Sequence, residues 1–241
     1  MTEKKFWPAL ILSLALIFSA LIFGFFYQYA QSKASSNDVL SVTGSAKIQV
    51  VSDQAKLTIN ISRLVPVSGL VGGYKSLSND LSLVQNLLKN ESVGEDKIVV
   101  SPASMYQSYD SNSGAEIRYQ LNQTVIVQDN DVEKITKISQ EIPSLAAQEA
   151  IVSVQSLEYY YSNLADLRVS LLSDAVKDAK ARAEKIADGS GRKIGNIQSA
   201  SSGVVQVLSP NSVEVADYGS YDTSSINKDV MVTVKASFRL K

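Results

Sequence analysis

The sequence predicts an α+β protein in which an N-terminal transmembrane helix precedes a mixed β-sheet domain with two long covering helices. The first observation is one apolar run, FWPALILSLALIFSALIFGFFY, at residues 6–27. The second is that strand-like and helix-like patterns alternate in blocks along the rest of the chain. The expected organisation is a cytoplasmic N-terminus (1–5), a signal-anchor helix (6–30), a tether (31–38) and an extracytoplasmic domain (39–241).

The apolar run is long enough to cross a membrane as a helix. At ~1.5 Å per residue it reaches about 33 Å, which exceeds the roughly 30 Å of a bilayer core. A signal peptide has a shorter apolar core and a cleavage site of small residues, and Ser32-Lys33-Ala34 fits such a site poorly. We therefore expect an uncleaved anchor. A secreted or periplasmic form after signal cleavage is the alternative.

The residues that flank the run indicate how the anchor lies in the membrane. Trp7 at one end and Tyr27 and Tyr29 at the other are expected at the two headgroup regions, as membrane-interface anchors. Lys4 and Lys5 precede the run, whereas only one lysine follows it closely. The positive-inside rule then places the N-terminus in the cytoplasm of a single-pass plasma-membrane protein and the C-terminal domain outside.

The composition excludes several classes of function. The chain has no cysteine and no histidine, which excludes disulfides, thiol nucleophiles, Cys or His zinc sites and histidine general bases. Its formal net charge is −1 with no basic stripe, so nucleic acid is not an expected partner. We predict no catalytic residue, no metal site and no cofactor, and the expected partner of the N-terminal helix is membrane lipid.

Periodicity predicts the elements of the domain. The expected strands are 39–51, 56–64, 98–109, 117–127 and 151–161, with two more inside 193–208 and 230–240. The expected helices are 68–90, 132–142 and 164–188, and 209–227 is expected to be a loop. Helix 68–90 is expected to bury Leu70, Tyr74, Leu77, Leu81, Val84 and Leu88. Helix 164–188 is expected to bury Leu164, Leu167, Leu171, Ala175, Ala179, Ala183 and Ile186, and its alanines imply close packing.

Several short motifs occur in an order that is similar to one known family. Val42-Thr43-Gly44 opens the first strand, and Asp53-Gln54-Ala55 precedes the second. The long helix reads Asp174-Ala175-x-x-Asp178-Ala179-x-x-Arg182-Ala183-x-x-Ile186-Ala187, and Gly191-x-x-Ile194-Gly195 follows it. From residue 40 to the end, the chain resembles the SIMPL-domain family, which includes periplasmic immunogenic proteins and YggE-like oxidative-stress-defence proteins.

The resemblance implies an exported α+β domain that tends to self-assemble, with no established catalytic residues. Many relatives have a proline where this chain has Ser52. The resemblance also implies a role in envelope or oxidative-stress tolerance.

Tyr159, Tyr160 and Tyr161 form the most unusual local run. Strand alternation points Tyr159 and Tyr161 one way and Tyr160 the other. Such a run is expected either to give one core face with a surface ring or to form an aromatic patch for assembly or ligand contact.

Carboxylates suggest two weaker sites. Asp129 and Asp131 can cap the helix that follows or chelate a metal, and helix capping is the preferred interpretation. Asp110-x-Asn112-x-Gly114-x-Glu116 lacks the spacing of a calcium loop, so we interpret it as a hairpin turn.

The function predicted from these observations is non-enzymatic. We expect a membrane-anchored extracytoplasmic protein that acts at the cell envelope by binding or by homo-oligomerisation. One alternative is an envelope-polymer hydrolase with paired carboxylates, at least one of which has a raised pKa. The other alternative is a subunit of a small-ligand or peptide-binding receptor, which needs an apolar pocket with a few polar groups.

Overall fold

The structure is a computed structural model that describes residues 6–34, 38–108, 117–212 and 217–241. The predicted turn at Asp110–Gly114 lies outside these residues. The side chains of residues 6–9 and 30–34 are also outside the description, so the expected position of the Trp7 ring cannot be compared with it.

The described residues form four α-helices, ten β-strands and short 3₁₀ turns, which confirms the predicted α+β class. The helices are α1 (Phe6–Ala34), α2 (Leu70–Asn90), α3 (Val132–Glu141) and α4 (Leu164–Gly189). The strands are β1 (Val39–Val51), β2 (Gln54–Pro66), β3 (Ile98–Val100), β4 (Ser104–Ser108), β5 (Arg118–Asp129), β6 (Val152–Tyr160), β7 (Ile194–Ser202), β8 (Gln206–Leu208), β9 (Ser220–Tyr221) and β10 (Asn227–Leu240).

The strands form two five-stranded sheets. In the first sheet the order is β1-β10-β8-β9, and β7 also pairs with β10. In the second sheet the order is β3-β5-β2-β6, and β4 also pairs with β5. The predicted strand 98–109 is therefore divided into β3 and β4, and the predicted loop 209–227 contains the short strand β9, which pairs in parallel with β8.

The chain divides into two compact units. The larger one comprises Ser45–Ala175 and Ser202–Thr233, and the smaller one comprises Met1–Gly44, Val176–Ser201 and Val234–Lys241.

The main core of the larger unit is built on the central pair of antiparallel strands, β2 and β5. Leu57 and Ile59 of β2 lie opposite Val127 and Val125 of β5, and all four side chains are buried. Helices α2 and α3 cover this face with the buried residues Leu77, Val84, Leu88, Ile135 and Ile138. The alternation of apolar and polar residues in β2 thus predicted its buried face correctly.

A buried ion pair joins β2 to α2 within this unit. Arg63 donates to both carboxylate oxygens of Asp80, from Nε at 2.7 Å and from Nη2 at 2.6 Å. The same Nη2 donates to the carbonyl oxygen of Glu149 at 2.9 Å. Periodicity did not predict a charged residue on the inward face of α2. The burial of Asp80 is explained by the two hydrogen bonds from Arg63, which satisfy both carboxylate oxygens.

Each unit has a further cluster on the long helix. In the larger unit Leu171 of α4 packs with Val207, Val230 and Val232. In the smaller unit Ala179 and Ala183 of α4 pack with Val42, Ala236 and Phe238. The alanines therefore pack closely against strands, as predicted.

Two residues expected in buried helix faces are exposed. Ile186 is 52% exposed, and Ala187 is buried in its place. The buried residues of α4 recur at every fourth position (Leu171, Ala175, Ala179, Ala183, Ala187), whereas the prediction ended the stripe with a step of three. Tyr74 is 42% exposed, whereas the neighbouring Gly73 is buried and faces Val65 and Leu121.

Helix α1 is apolar on all sides. Its window Leu10–Tyr29 has a mean hydropathy of 2.4, and none of this window is buried against the rest of the described chain. Tyr27 and Tyr29 are exposed near its end. This length and composition fit either a membrane anchor or a signal sequence.

Two neighbouring glycines of α2 provide a matched test of the packing. A Cβ atom at Gly73 would lie 2.9 Å from Cγ1 of Val65 and 3.0 Å from Cδ1 of Leu121, whereas a Cβ atom at Gly72 would meet no atom within 4 Å. Gly72→Ala should raise the free energy of unfolding by roughly 0.5–1 kcal/mol through helix propensity. Gly73→Ala should lower it by about 1 kcal/mol or more, because the core is overpacked there. Urea unfolding of the two variants measures both effects, and equal stabilisation by both would contradict this packing.

Candidate functional site: a tyrosine cluster held by a buried lysine

The three consecutive tyrosines lie at the end of β6, and the structure gives each a different environment. Tyr159 is buried, and its hydroxyl lies 2.9 Å from Oγ1 of Thr136 in α3. Tyr160 is partly buried, and Tyr161 follows the last residue of the strand. The run therefore does not present a single aromatic surface, because Tyr159 belongs to the core.

Tyr160 forms a partly exposed cluster with residues from other elements. Its ring centroid lies 5.9 Å from that of Tyr221, with the ring planes tilted by 36°. Its hydroxyl donates to Oε2 of Glu158 at 3.2 Å, and Nζ of Lys56 lies 3.2 Å from the same oxygen. Burial raises the pKa of Tyr160, and the negative charge of Glu158 raises it further. Tyr160 therefore remains a neutral hydrogen-bond donor.

The end of β6 is fastened to its surroundings by backbone groups. The Tyr161 N–H donates to the hydroxyl of Tyr221 at 3.0 Å. The Asp53 carboxylate accepts from the N–H of Ser162 at 2.8 Å and from its hydroxyl at 2.6 Å, and the Asp53 N–H donates to the carbonyl of Tyr160 at 3.0 Å. These bonds fix the position of the partly exposed rings.

A short segment between β9 and β10, here called the 222–226 loop, connects the two sheets within the larger unit. The carbonyl oxygen of Thr223 accepts from the N–H of Tyr159 at 2.8 Å, and that of Ile226 accepts from the N–H of Ser52 at 2.8 Å. Because proline has no N–H, a proline at position 52 would lack the hydrogen bond that Ser52 donates to Ile226.

The loop is organised by one aspartate. The Asp222 carboxylate accepts from the backbone N–H groups of Ser224 and Ser225, at 3.0 and 3.2 Å, and from both of their hydroxyls. Burial by itself raises the pKa of Asp222, but these hydrogen bonds and the charge of Lys228 outweigh it and lower the pKa to about 2. Asp222 is therefore ionised in the folded protein at neutral pH.

Beneath the loop lies Lys228, whose side chain is completely buried. Its ammonium group donates to the carbonyl oxygens of Asp222 and Ser225, the latter at 2.8 Å. It lies 3.9 Å from Oδ2 of Asp222 and 5.6 Å from the centre of the Tyr221 ring. Burial lowers the pKa of Lys228, and the charge of Asp222 opposes this effect. The lysine thus holds the loop that in turn holds the tyrosines.

Sequence reasoning singled out the tyrosines but missed Lys228, Asp222 and Tyr221. One signal was available for the lysine. In β10 the buried apolar residues Val230, Val232 and Val234 occupy even positions, and Lys228 continues that alternation on the inward face. A charged residue at an inward position of a strand needs partners, and the loop supplies them.

The two aspartates considered as metal ligands have other roles. Asp131 is the N-cap of α3, and its side chain accepts from the N–H of Lys134 at 2.9 Å, which confirms the capping interpretation. Asp129 is buried and lies 2.8 Å from the ammonium groups of both Lys97 and Lys134. Burial by itself raises the pKa of Asp129, but the hydrogen bonds from Lys134 and Lys97 outweigh it, and its pKa lies well below the usual range. Within the described ranges, no group of three or more His, Cys, Asp or Glu residues is placed to hold a metal ion.

Comparison with known proteins identifies the family. The family model described as SIMPL, a protein of unknown function (DUF541), matches residues 40–238. The chain belongs to the SIMPL family. The match extends over both compact units and confirms the resemblance inferred from the motifs. With its N-terminal apolar helix, the chain fits a membrane-anchored SIMPL protein.

Two solved structures that match this SIMPL protein show a distant likeness to it. One is described as a "putative aminohydrolase from methicillin resistant Staphylococcus aureus", with 11% sequence identity and a TM-score of 0.25. The match covers 50% of this chain but only 32% of that one, so this chain spans about a third of its length. Another is a hydrolase from Listeria innocua, with 10% identity and a TM-score of 0.20, covering 81% of this chain and 91% of that one. No curated protein matches the chain.

Replacing the buried lysine tests whether it holds the loop. We expect Lys228→Met to lower the free energy of unfolding by about 2 kcal/mol, because two partly buried carbonyl groups lose their donor. Hydrogen exchange of the Tyr159 and Ser52 amides should become faster, since their acceptors lie in the 222–226 loop. The control Lys180→Met removes only an exposed helix pair with Glu184 and should change stability by less than about 0.5 kcal/mol. Unchanged exchange in Lys228→Met would contradict the role assigned to the lysine.

Asp222 predicts a specific pH dependence. Because its folded pKa is lowered from 3.8 to about 2, its contribution to stability is present above pH 3.8 and is lost as the pH falls towards 2. Asp222→Asn should therefore cost about 2 kcal/mol at neutral pH, and the difference from wild type should shrink in acid. Urea unfolding at several pH values measures this, with Glu184→Gln as an exposed control. A difference that stays constant down to pH 2 would show that the ionised carboxylate is not the source.

Proposed function

We propose that this chain is a membrane-anchored extracytoplasmic SIMPL-domain protein that acts at the cell envelope by self-assembly or binding rather than by catalysis. The observation that carries the proposal is α1, whose apolar side chains surround the helix and are not buried by the described chain. An all-apolar helix of this length is stable where lipid surrounds it. A part in envelope or oxidative-stress tolerance is implied by the family resemblance and belongs to the same proposal.

The orientation in this proposal rests on the flanking charges. Lys4 and Lys5 precede the apolar run at residues 6–27, and Lys33, near the end of α1, follows that run. Positive residues are retained on the cytoplasmic side, so the SIMPL domain would lie outside the plasma membrane. The organisation proposed is the one expected from the sequence, with a cytoplasmic end at 1–5, an anchor at 6–30, a tether at 31–38 and the domain at 39–241.

The charges of the domain favour binding over acid–base chemistry. A glycoside-hydrolase type of general acid needs a carboxyl group with a raised pKa. Burial by itself raises the pKa of Asp129 and of Asp222, but hydrogen bonds from Lys134 and Lys97 and from two serines outweigh it and lower both. The pKa of Asp229 is lowered chiefly by its hydrogen bond with Lys47. These buried or partly buried carboxylates serve as fixed anions that hold elements together.

Two surfaces support binding. The first is the tyrosine cluster, in which the partly exposed rings of Tyr160 and Tyr221 lie beside Glu158, a combination suited to stacking and hydrogen bonding. We include Tyr160 and Tyr161 in the proposed interaction patch, while Tyr159 supports it from the core. The second surface is a cavity beside β3.

The cavity gives the receptor-subunit alternative a specific basis. It has a volume of about 660 Å³ and lies between α2 and β3. Its lining combines the apolar residues Val93, Ile98 and Val100 with polar and charged residues that include Gln85, Asn86, Lys89 and Glu95. Small-molecule sites have volumes of this order. Binding of a small ligand or peptide there is the second candidate function.

Self-assembly is tested by the oligomeric state of the protein in detergent. The anchor confines the domain to two dimensions and so raises its effective concentration, which favours weak lateral contacts. We expect the full-length chain in mild detergent to be an oligomer by light scattering. The chain that begins at Ala34 should be smaller at the same concentration. If both are monomers at high concentration, assembly is not how this protein works.

A further inference from the structure

The second sheet has an open edge formed by β3 and β4. Both strands pair with β5, and among the described residues nothing pairs with their other side. In an antiparallel pair, alternate residues direct their backbone N–H and C=O groups away from the partner strand. The outer side of β4 therefore carries backbone groups without a strand to bond to.

The register identifies these groups. Between β3 and β4, the N–H of Ser101 donates to the carbonyl of Thr124 at 2.9 Å, so the backbone of Thr124 faces this edge. The register between β5 and β2 is unbroken. Every second residue of β5 from Thr124 back to Arg118 therefore directs its backbone N–H and C=O groups to the same side as Thr124, towards β4. The residues of β4 opposite these positions bond to β5. Met105 and Gln107 therefore present their N–H and C=O groups outward.

The edge carries none of the charges that usually protect a sheet edge. The segment from Ile98 to Ser108 contains no charged side chain, and its single proline lies between the two strands and outside β4. Met105 is 47% exposed and Tyr106 is 55% exposed. Natural edge strands are commonly protected by lysine, proline or a bulge, and an apolar edge without them tends to pair with another strand.

We infer that β4 pairs in antiparallel fashion with β4 of a second copy of this chain, about a two-fold axis at Tyr106. This inference rests on the self-assembly proposed above and identifies its interface. The strand has five residues, so complete overlap places Tyr106 opposite its own copy. Met105 then lies opposite Gln107 of the second copy, and each such pair exchanges both backbone hydrogen bonds.

The chemistry of the edge favours a second copy over a different partner. In a two-fold interface the residue on the axis faces its own copy, so a charge at that position would face a like charge. Here the strand is neutral, and its central residue is an aromatic, which pairs well with an aromatic across strands. The Tyr106 ring is held in place by the Asn122 side chain, whose Nδ2 donates to its hydroxyl at 2.7 Å. The edge is therefore self-complementary in backbone, charge and side chain.

Single introduced cysteines test this contact. The natural chain contains no cysteine, so any disulfide must come from the introduced residue. Residues opposite each other in a non-hydrogen-bonded pair have Cα atoms about 4.5 Å apart, within the range that a disulfide spans. Full-length Tyr106→Cys, oxidised in its own membranes, should give a disulfide-linked dimer. The control is Gln198→Cys on β7, an exposed and neutral strand of the other sheet. We expect at least about tenfold more dimer from Tyr106→Cys because only it meets the disulfide geometry.

A charge pair tests the two-fold axis independently. Tyr106→Lys and Tyr106→Glu should each raise the dissociation constant about tenfold, since like charges would face each other. An equal mixture of the two variants should restore assembly, because opposite charges then meet. A variant that loses assembly through misfolding would not be restored by mixing. Failure of the mixture to associate better than either variant alone would overturn the proposed register.

A lysine-reactive crosslinker applied to membranes with the wild-type protein distinguishes the proposal of self-assembly from the proposal that β4 is its interface. If it joins wild-type chains while Tyr106→Cys gives no more dimer than Gln198→Cys, the edge pairing is wrong and self-assembly stands. If it joins no wild-type chains, self-assembly and the edge pairing both fail. Efficient crosslinking of the wild type together with a dimer from Tyr106→Cys supports both.

Discussion

The first constraint on this protein is that its N-terminal helix has apolar side chains on every side and needs an apolar environment. None of the window Leu10–Tyr29 is buried by the described chain. Each large apolar side chain left in water costs about 1.5–3 kcal/mol, so a helix of this kind requires an apolar environment. In the proposed arrangement lipid provides it. The anchor then determines where the SIMPL domain is, which partners it meets and how concentrated it becomes, and these are the parameters on which weak assembly depends.

Within the domain, buried charges connect elements that apolar packing alone does not join. Lys228 holds the 222–226 loop by its carbonyl groups, and the loop accepts hydrogen bonds from Tyr159 and Ser52. Arg63 of β2 connects to α2 by two hydrogen bonds to the Asp80 carboxylate. A buried ion is stable only when its hydrogen-bonding groups are satisfied, so these contacts specify one geometry of the surrounding loops. That geometry presents the tyrosine cluster as a fixed surface, which suits recognition.

Much of the fold was predictable because the hydrophobic periodicity and the composition of a segment depend only on residues that are close in sequence. The apolar N-terminal helix, the buried face of β2 and the capping of α3 by Asp131 followed from residues close in sequence. The failures involve contacts between distant segments. Gly73 rather than Tyr74 faces the sheet because Val65 and Leu121 approach there. The tyrosine run was recognised, but its partner Tyr221 comes from a segment that looks like an ordinary polar loop, and Lys228 lies at the start of β10. A single sequence does not show that pairing.

The central claim is that the anchor spans a membrane with the SIMPL domain outside, and the most direct measurement is labelling of single cysteines. A membrane-impermeant maleimide is applied to sealed cells from which any wall has been removed. The variant Ser170→Cys, at an exposed position of α4, should be labelled at once. The variant Thr2→Cys should be labelled only after the membrane is permeabilised. Labelling of Thr2→Cys but not of Ser170→Cys in sealed cells would contradict the account, as would recovery of a labelled domain that lacks residues 6–27.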